Sequence, residues 1–245
     1  LAQAVTGAEP TAGPTPLPSR RPACAGITGR CRGGPSPTRA MPLETCAAAA
    51  AARTDLAPSG VLRAGVNLAN PLLVSGGGHS PDAPPRGVSP DLAAALAARL
   101  GVEVRYVPFR SPGELADAVT LDLWDVGLIG ADPQRAEKIA FTAPYAEIPA
   151  AYMVQPGSAL KRLGDVDAEG VRIASTSGSA FDLWLRRNIQ RAELLPAETM
   201  DAAFELFSSG RADVLACIRQ RLASDVERVP GASILEGDFM TVQQA

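Results

Sequence analysis

The sequence predicts an α/β fold of two lobes with mixed, mostly parallel sheets, preceded by a low-complexity tail. Three observations carry this. From Val61 onward, short apolar runs alternate with stretches of helical period, at lengths that suit crossover helices between parallel strands. Composition changes near the same point: residues 1–60 hold nine of the 22 prolines and six arginines against Glu9, Glu44 and Asp55. The remaining 185 residues carry 17 basic and 23 acidic side chains. Finally, the extended stretch 147–155 leads from one strand–helix set to the next and reads as a linker between lobes.

Each element has a local cause. Residues 1–40 contain no Phe, Tyr, Trp or Met and show no apolar period, so they cannot bury enough surface to offset their ordering entropy. Disorder is expected there, and the tail is taken to run to residue 60. Residues 61–66 form a short apolar strand, followed by a Gly/Pro loop to about residue 88. Ser89-Pro90-Asp91 reads as a helix start with Ser89 as its cap, Leu92, Leu96 and Leu100 as its apolar stripe, and Gly101 as its end. Residues 102–109 alternate as a strand does. Ser111-Pro112-Gly113-Glu114 is a capping box, and 125–130 is a buried strand. In the second half, strands are expected at 171–174, 192–195, 212–218, 233–235 and 239–242. Helices are expected after Ser179, after Thr199 with Phe204 and Phe207 inward, and over 219–229.

Composition excludes several classes of function. The net charge of −3 does not suit a strongly basic nucleic-acid binder. No apolar run approaches the ~18 residues of a membrane-spanning helix. His79 is the single histidine, which removes mechanisms that need two and most zinc sites. No metal or cofactor is expected. Cys24, Cys31 and Cys46 have no metal-site spacing and read as incidental, while Cys217, in an apolar run, reads as a buried structural thiol. Gly76-Gly77-Gly78-His79 neither follows a strand directly nor opens a helix, so it does not suit a phosphate loop. Met41, the first methionine, is expected to be the natural start, with no recognisable secretory leader.

Three places suit ligand contact. Gly130-Ala131-Asp132-Pro133-Gln134-Arg135 follows a buried strand, where α/β folds bind ligands. Arg135 either forks onto a carboxylate or is a solvated surface arginine. Ser175-Thr176-Ser177-Gly178-Ser179-Ala180 is a strand-to-helix turn whose N–H groups either meet an anion or are simply capped by Ser179. Arg219 ends a strand, and answers either a buried anion or a surface acid.

Together these segments resemble the bacterial extracellular solute-binding proteins of family 3, the receptors of polar amino-acid ABC importers. Leu62-Arg63-Ala64-Gly65-Val66-Asn67 is similar to their opening strand. Gly87-Val88-Ser89-Pro90-Asp91-Leu92 is similar to their first helix start, and Trp124-Asp125-Val126-Gly127 to their "WD" strand. The run from Arg135 to Tyr145, with Ile139, Phe141, Thr142 and Pro144 in place, closely resembles their R-x-x-x-(I/V)-x-F-(S/T)-x-P-Y signature. The resemblance covers about residues 61–245.

It implies the periplasmic-binding-protein type II fold: a tail over 1–60, a first lobe over 61–149, a second over 150–238 and a return strand over 239–245. The family continues past this point, so the expectation is either that the sequence is a fragment or that the first lobe lacks its closing helices. The resemblance also implies that Arg135 clamps a ligand carboxylate beside Asn67, Gly130 and Asp132, facing Gly178, Ser179, Ala180 and Arg219. The family's acid for an α-ammonium is replaced by Ile218, so an anionic ligand, an organic acid or amino-acid-like carboxylate, is expected. The implied function is a monomeric, non-enzymatic receptor. Its partners are a small-molecule carboxylate and an ABC permease, outside the cytoplasmic membrane, with no nucleic acid. The alternatives are a cyclohexadienyl-dehydratase-like enzyme on the same fold and a ligand-sensing domain.

Overall fold

The first sheet is three parallel strands in the order β2-β1-β3, formed by β1 (Val61–Asn67), β2 (Glu103–Phe109) and β3 (Val126–Leu128). The structure, a computed structural model, describes residues 46–80 and 82–245. The expected tail falls outside these residues as far as residue 45. Its expected end at residue 60 is corrected, because the chain is helical in α1 (Cys46–Leu56). The alanine run that looked like low complexity is also the best helix-forming sequence available. Ala57, just beyond α1, is buried with Leu62 of β1.

The helix α2 (Val88–Leu100) begins earlier than its sequence signature. Gly87, at φ 129°, is its cap, and the Gly87 carbonyl accepts the Asp91 N–H. Ser89 is therefore inside the helix and buried, with its hydroxyl 3.3 Å from the Tyr145 hydroxyl. Pro90 is tolerated because N–H groups in a first turn have no intrahelical partner. The buried face carries Ala93 and Ala97, while Leu92 is exposed. Leu96 and Leu100 of the expected stripe are partly buried and pack with Ala97 against the cluster of Ala57 and Leu62, so the helix lies on the sheet through small side chains and these two leucines together. Gly101 ends the helix in the left-handed conformation, as expected. Ser111 caps α3 (Pro112–Asp117), but the Glu114 carboxylate accepts the N–H of Arg110, one residue before the cap. A four-residue helix, α4 (Pro133–Ala136), follows β3.

The second sheet has the order β6-β5-β7-β4-β8, built from β4 (Ala146–Val154), β5 (Arg172–Thr176), β6 (Glu193–Ala197), β7 (Val214–Ile218) and β8 (Ser233–Ile234). β5 pairs parallel with β6 and β7, whereas β4 pairs antiparallel with β7, β8 and β9 (Met240–Gln244). The expected linker is thus extended, but it is also a paired strand of this sheet. β9 bonds back to the first half: Ile129 and Ala245 exchange both backbone hydrogen bonds, and Ala131 N–H donates to the Gln243 carbonyl.

Helices α5 (Ala180–Asn188), α6 (Met200–Ser208) and α7 (Arg219–Asp225) complete this half. Phe204 and Phe207 point inward and Thr199 caps α6, as expected. α7 is shorter than expected and passes into a 3-10 turn, Val226–Arg228. Cys217, next to the last residue of β7, is buried, and burial pushes its thiol up to about 12.

Both sheets are held at their rim by the same device. The Arg63 N–H and guanidinium bond to Asp125, whose own N–H donates to the Arg63 carbonyl. Arg172 and Asp213 repeat this arrangement contact for contact in the second sheet. Each pair ties the start of one strand to the residue before its parallel neighbour, and so fixes register.

Candidate functional site

The strands deliver their last residues to one place. Asn67 ends β1, Thr176 ends β5 and Ile218 ends β7, and all three line one cavity. Carboxyl ends of parallel strands are where open α/β sheets bind ligands, because the chain turns away there and leaves a crevice. The cavity is about half open and its volume is about 40 Å3. Gly130, Arg135, Ser179, Ala180, Phe181 and Gln244 also line it.

Arg135 is the one ionisable side chain in the wall. It is 6% exposed, and it donates from Nη1 to the Gly130 carbonyl and from Nη2 to the Gly178 carbonyl, both at 2.6 Å. No carboxylate is hydrogen-bonded to it among the described residues. Burial therefore pulls its pKa down to about 10, because the charged form has lost water without gaining an opposite charge in contact. A guanidinium has five N–H groups, so N–H groups beyond these two bonds remain for an incoming acceptor. α4 places this arginine: the Asp132 carboxylate caps the helix by accepting the Gln134 N–H at 2.9 Å.

The turn into α5 is organised by Asp182. Its carboxylate accepts the Ser175 hydroxyl at 2.7 Å, the Gly178 N–H at 2.9 Å and Arg186 Nε at 2.9 Å. Ser179 Oγ accepts the Asp182 N–H and donates to the Thr176 carbonyl. At Ala180 and Phe181 the first N–H groups of α5 have no intrahelical partner, and both residues line the cavity.

Of the eight expected site residues, the structure gathers Asn67, Gly130, Arg135, Ser179 and Ala180 around this cavity. The other three are placed differently. Asp132 does not line it: the carboxylate is 3% exposed and is taken by its cap and by two hydrogen bonds from Arg187. Gly178 offers no free N–H, since Asp182 accepts it, and contributes its carbonyl to Arg135 instead. Arg219 answers Asp238 and the Gly237 carbonyl, away from the cavity wall. Its strand-end position was right, but a neighbouring turn supplies the acid. Asn70, Phe181, Met200, Val242 and Gln244, which the sequence did not single out, also line the cavity. Thr176 lay inside the small-residue turn singled out in the sequence, without being chosen. The apolar members carry no chemical signature by which sequence could separate them from core.

Among the described residues, no group of three or more His, Cys, Asp or Glu side chains is placed to hold a metal ion, and no helix is long and apolar enough to cross a membrane.

A domain with one parallel and one mixed sheet, a paired return strand and a buried arginine at the strand ends has the features of the two-lobed solute-binding proteins. The profile of the bacterial extracellular solute-binding proteins, family 3, matches residues 78–224, and the chain belongs to this family. A curated relative, membrane-bound lytic murein transglycosylase F of Maricaulis maris (strain MCS10), is 33% identical over 111 residues, which are 43% of this chain. The match spans only 23% of that relative's length. Among solved structures, holo ArgBP from T. maritima superposes with a TM-score of 0.60 at 22% identity, covering 77% of this chain and 81% of the other. A putative ABC-transporter binding component from Wolinella succinogenes DSM 1740, complexed with lysine, gives 0.61 at 18% identity, covering 76% and 80%. The ancestral amino-acid-binding protein AncCDT-1, a precursor of cyclohexadienyl dehydratase, gives 0.59 at 23% identity, covering 76% and 81%. These likenesses establish the type II periplasmic-binding fold.

Proposed function

We propose that this chain is the ligand receptor of an ABC importer, acting as a monomer outside the cytoplasmic membrane and holding a small carboxylate between two lobes. In this reading the lobes are residues 61–149 and 150–238, with 239–245 as the return strand. They close by a hinge around β4 and β9, as two-domain binding proteins do. The closed shape is what a permease partner reads.

One observation carries the proposal. Arg135 is a buried guanidinium that touches both halves of the molecule and makes no salt bridge among the described residues, with Asp132 and Asp117 acting on it only at longer range. An unpaired buried charge is costly, and an anion at the strand ends removes that cost. The N-terminus of α5 adds partial positive charge on the same cavity. A larger cavity also touches Arg135, but its polar side chains Asp117, Gln134, Glu137 and Lys138 are exposed and solvated. Binding is favoured over catalysis because no Asp, Glu or His lines the strand-end cavity, whereas acid–base chemistry needs a proton-transfer group within reach.

Calorimetry with a panel of carboxylates and amino acids tests the reading on wild type and Arg135→Met. The variant is expected to lose about 2–5 kcal/mol of carboxylate affinity. Its unfolding free energy should stay within about 1 kcal/mol of wild type, since it removes a desolvated charge along with its two hydrogen bonds. Equal affinity in both proteins would remove Arg135 from the site.

A further inference from the structure

Carboxamide side chains line the strand-end cavity: Asn67 at the end of β1, Asn70 just beyond it, and Gln244 of β9. Asn70 and Gln244 are each 7% exposed. The side-chain oxygens of Asn67 and Asn70 are spent on their own turns, accepting the Ala69 N–H at 3.0 Å and the Leu72 N–H at 3.1 Å. These bonds fix which way each amide faces, and each N–H2 group is left without an acceptor among the described residues. The Gln244 amide has no hydrogen-bond partner among them either. None of these groups is sealed off. Thr176 Oγ1 is the one side-chain polar atom among the described residues that is both fully buried and unpartnered. The free amide groups therefore keep accessible surface, in residues that line the cavity.

The wall is thus rich in donors and poor in acceptors. Arg135 takes the Gly130 and Gly178 carbonyls, Ser179 takes the Thr176 carbonyl, and no Asp, Glu or His lines the cavity. The donors fall into two sets. Arg135 is bonded at Gly130, which is bridged to Gln244 in β9. Asn67 ends β1, the strand beside β3, and Asn70 follows it. Neighbouring strands lie about 4.8 Å apart, which is the order of the span between the two carboxylates of a short dicarboxylic acid. A carboxylate only accepts hydrogen bonds, whereas an ammonium or a hydroxyl brings donors of its own. A second carboxylate is the group that matches the N–H2 groups of Asn67 and Asn70.

We propose that the ligand is a short dicarboxylate, and that Asn67 and Asn70 are the residues that select its second carboxylate. This rests on Arg135 being the clamp for the first. Arg135 and the α5 N-terminus hold one end, and Asn67 and Asn70 donate to the other.

Calorimetry on the full chain with succinate, glutarate and butyrate tests it. Succinate or glutarate is expected to bind at least about tenfold tighter than butyrate, because hydrogen bonds to a second charged group are gained. Asn67→Ser/Asn70→Ser keeps a turn-forming oxygen at both positions and removes both N–H2 groups. It is expected to bring the ratio of dicarboxylate to butyrate affinity below about threefold. Asn70→Asp keeps the turn and puts a like charge where the donor stood, so it should lower the same ratio. Damage to the fold would weaken all three acids together and leave the ratio unchanged. Equal binding of butyrate and both dicarboxylates by wild type overturns the proposal, as does a ratio that neither variant moves. In both cases an Arg135-dependent carboxylate signal leaves the receptor reading standing. Silence to all three acids overturns the proposal, and the receptor reading falls with it only if the wider panel of carboxylates and amino acids is silent too.

Discussion

Arg187, in the last turn of α5, grips Asp132, the cap of α4, with two hydrogen bonds: Nη1 to Oδ1 at 3.1 Å and Nη2 to Oδ2 at 2.6 Å. These two residues belong to opposite halves of the molecule and lie 55 positions apart in the chain. Together with the Arg135 bond to the Gly178 carbonyl, the pair holds α4 against α5 over the cavity. The carboxylate is buried and the guanidinium is partly exposed, so the pair is worth more than a surface bridge and less than a buried one. Arg187→Ala is expected to lower unfolding stability by about 1–3 kcal/mol. It should also enlarge the radius of gyration of the ligand-free protein in small-angle scattering, because one of the bonds joining the halves is gone. An unchanged scattering profile would mean that the pair does not hold the halves together.

The hydroxyl of Ser179 is fully engaged, accepting from Asp182 and donating to the Thr176 carbonyl. Its role is therefore the same as that of Thr199, which accepts the Ala202 N–H at the start of α6. Ser179→Ala and Thr199→Ala are each expected to cost about 1 kcal/mol in denaturant unfolding. The two caps lie on different helices, so the double variant should show the sum. A Ser179→Ala protein as stable as wild type would mean that the hydroxyl does not cap α5.

Sequence reached the strand–helix order and Arg135 because both leave local marks. Alternation, caps at Ser111, Ser179 and Thr199, and the spaced Arg135-to-Tyr145 pattern are each readable within a dozen residues. What it missed depends on distance. Whether Asp132 faced a ligand or an arginine was decided by Arg187. Whether Arg219 was free was decided by a turn ending at Asp238. The Thr176 hydroxyl, unlike those of Ser175 and Ser179, has no hydrogen-bond partner among the described residues, and a missing partner leaves no trace in sequence. The stripe of α2 was legible in part: Leu96 and Leu100 pack beside Ala97 against the β1 cluster, while Leu92, in the first turn, is exposed.

Acid should weaken the fold through groups whose carboxyls are held below the usual range. Asp213 is lowered chiefly by its hydrogen bond from Arg172, and Asp167 by backbone N–H donors led by Ala192. Folded values below unfolded ones mean that the unfolded chain binds more protons as pH falls. The stabilisation is thus fully present above the ordinary carboxylate pKa of about 4, and it is lost as pH drops through the folded values. Urea midpoints are expected to stay level from pH 7 to 5 with respect to these groups and to fall below pH 4. Asp213→Asn should start lower and lose less between pH 4 and 2. An equal acid loss in wild type and variant would show that the Arg172 pair does not set this dependence.

At Gly130 the first half meets both α5 and the return strand. A Cβ there would stand 2.7 Å from Val242 Cγ1 and 3.2 Å from the Ala180 Cβ. The first distance is an overlap with a buried side chain of β9, and the second allows little retreat. Gly130→Ala is therefore expected to destabilise by about 1–3 kcal/mol, as overpacking does. Val242→Ala alone should also destabilise, since it removes two buried methyl groups. In the double variant the space left by Val242 receives the new methyl, so the combined loss should be smaller than the sum by at least about 0.5 kcal/mol. Thermal or denaturant unfolding of the four proteins measures this coupling. Strict additivity would place the cost of Gly130→Ala in the backbone rather than in this contact. A positive coupling would show that β9 packs against the Gly130 turn, in the wall that also carries Arg135.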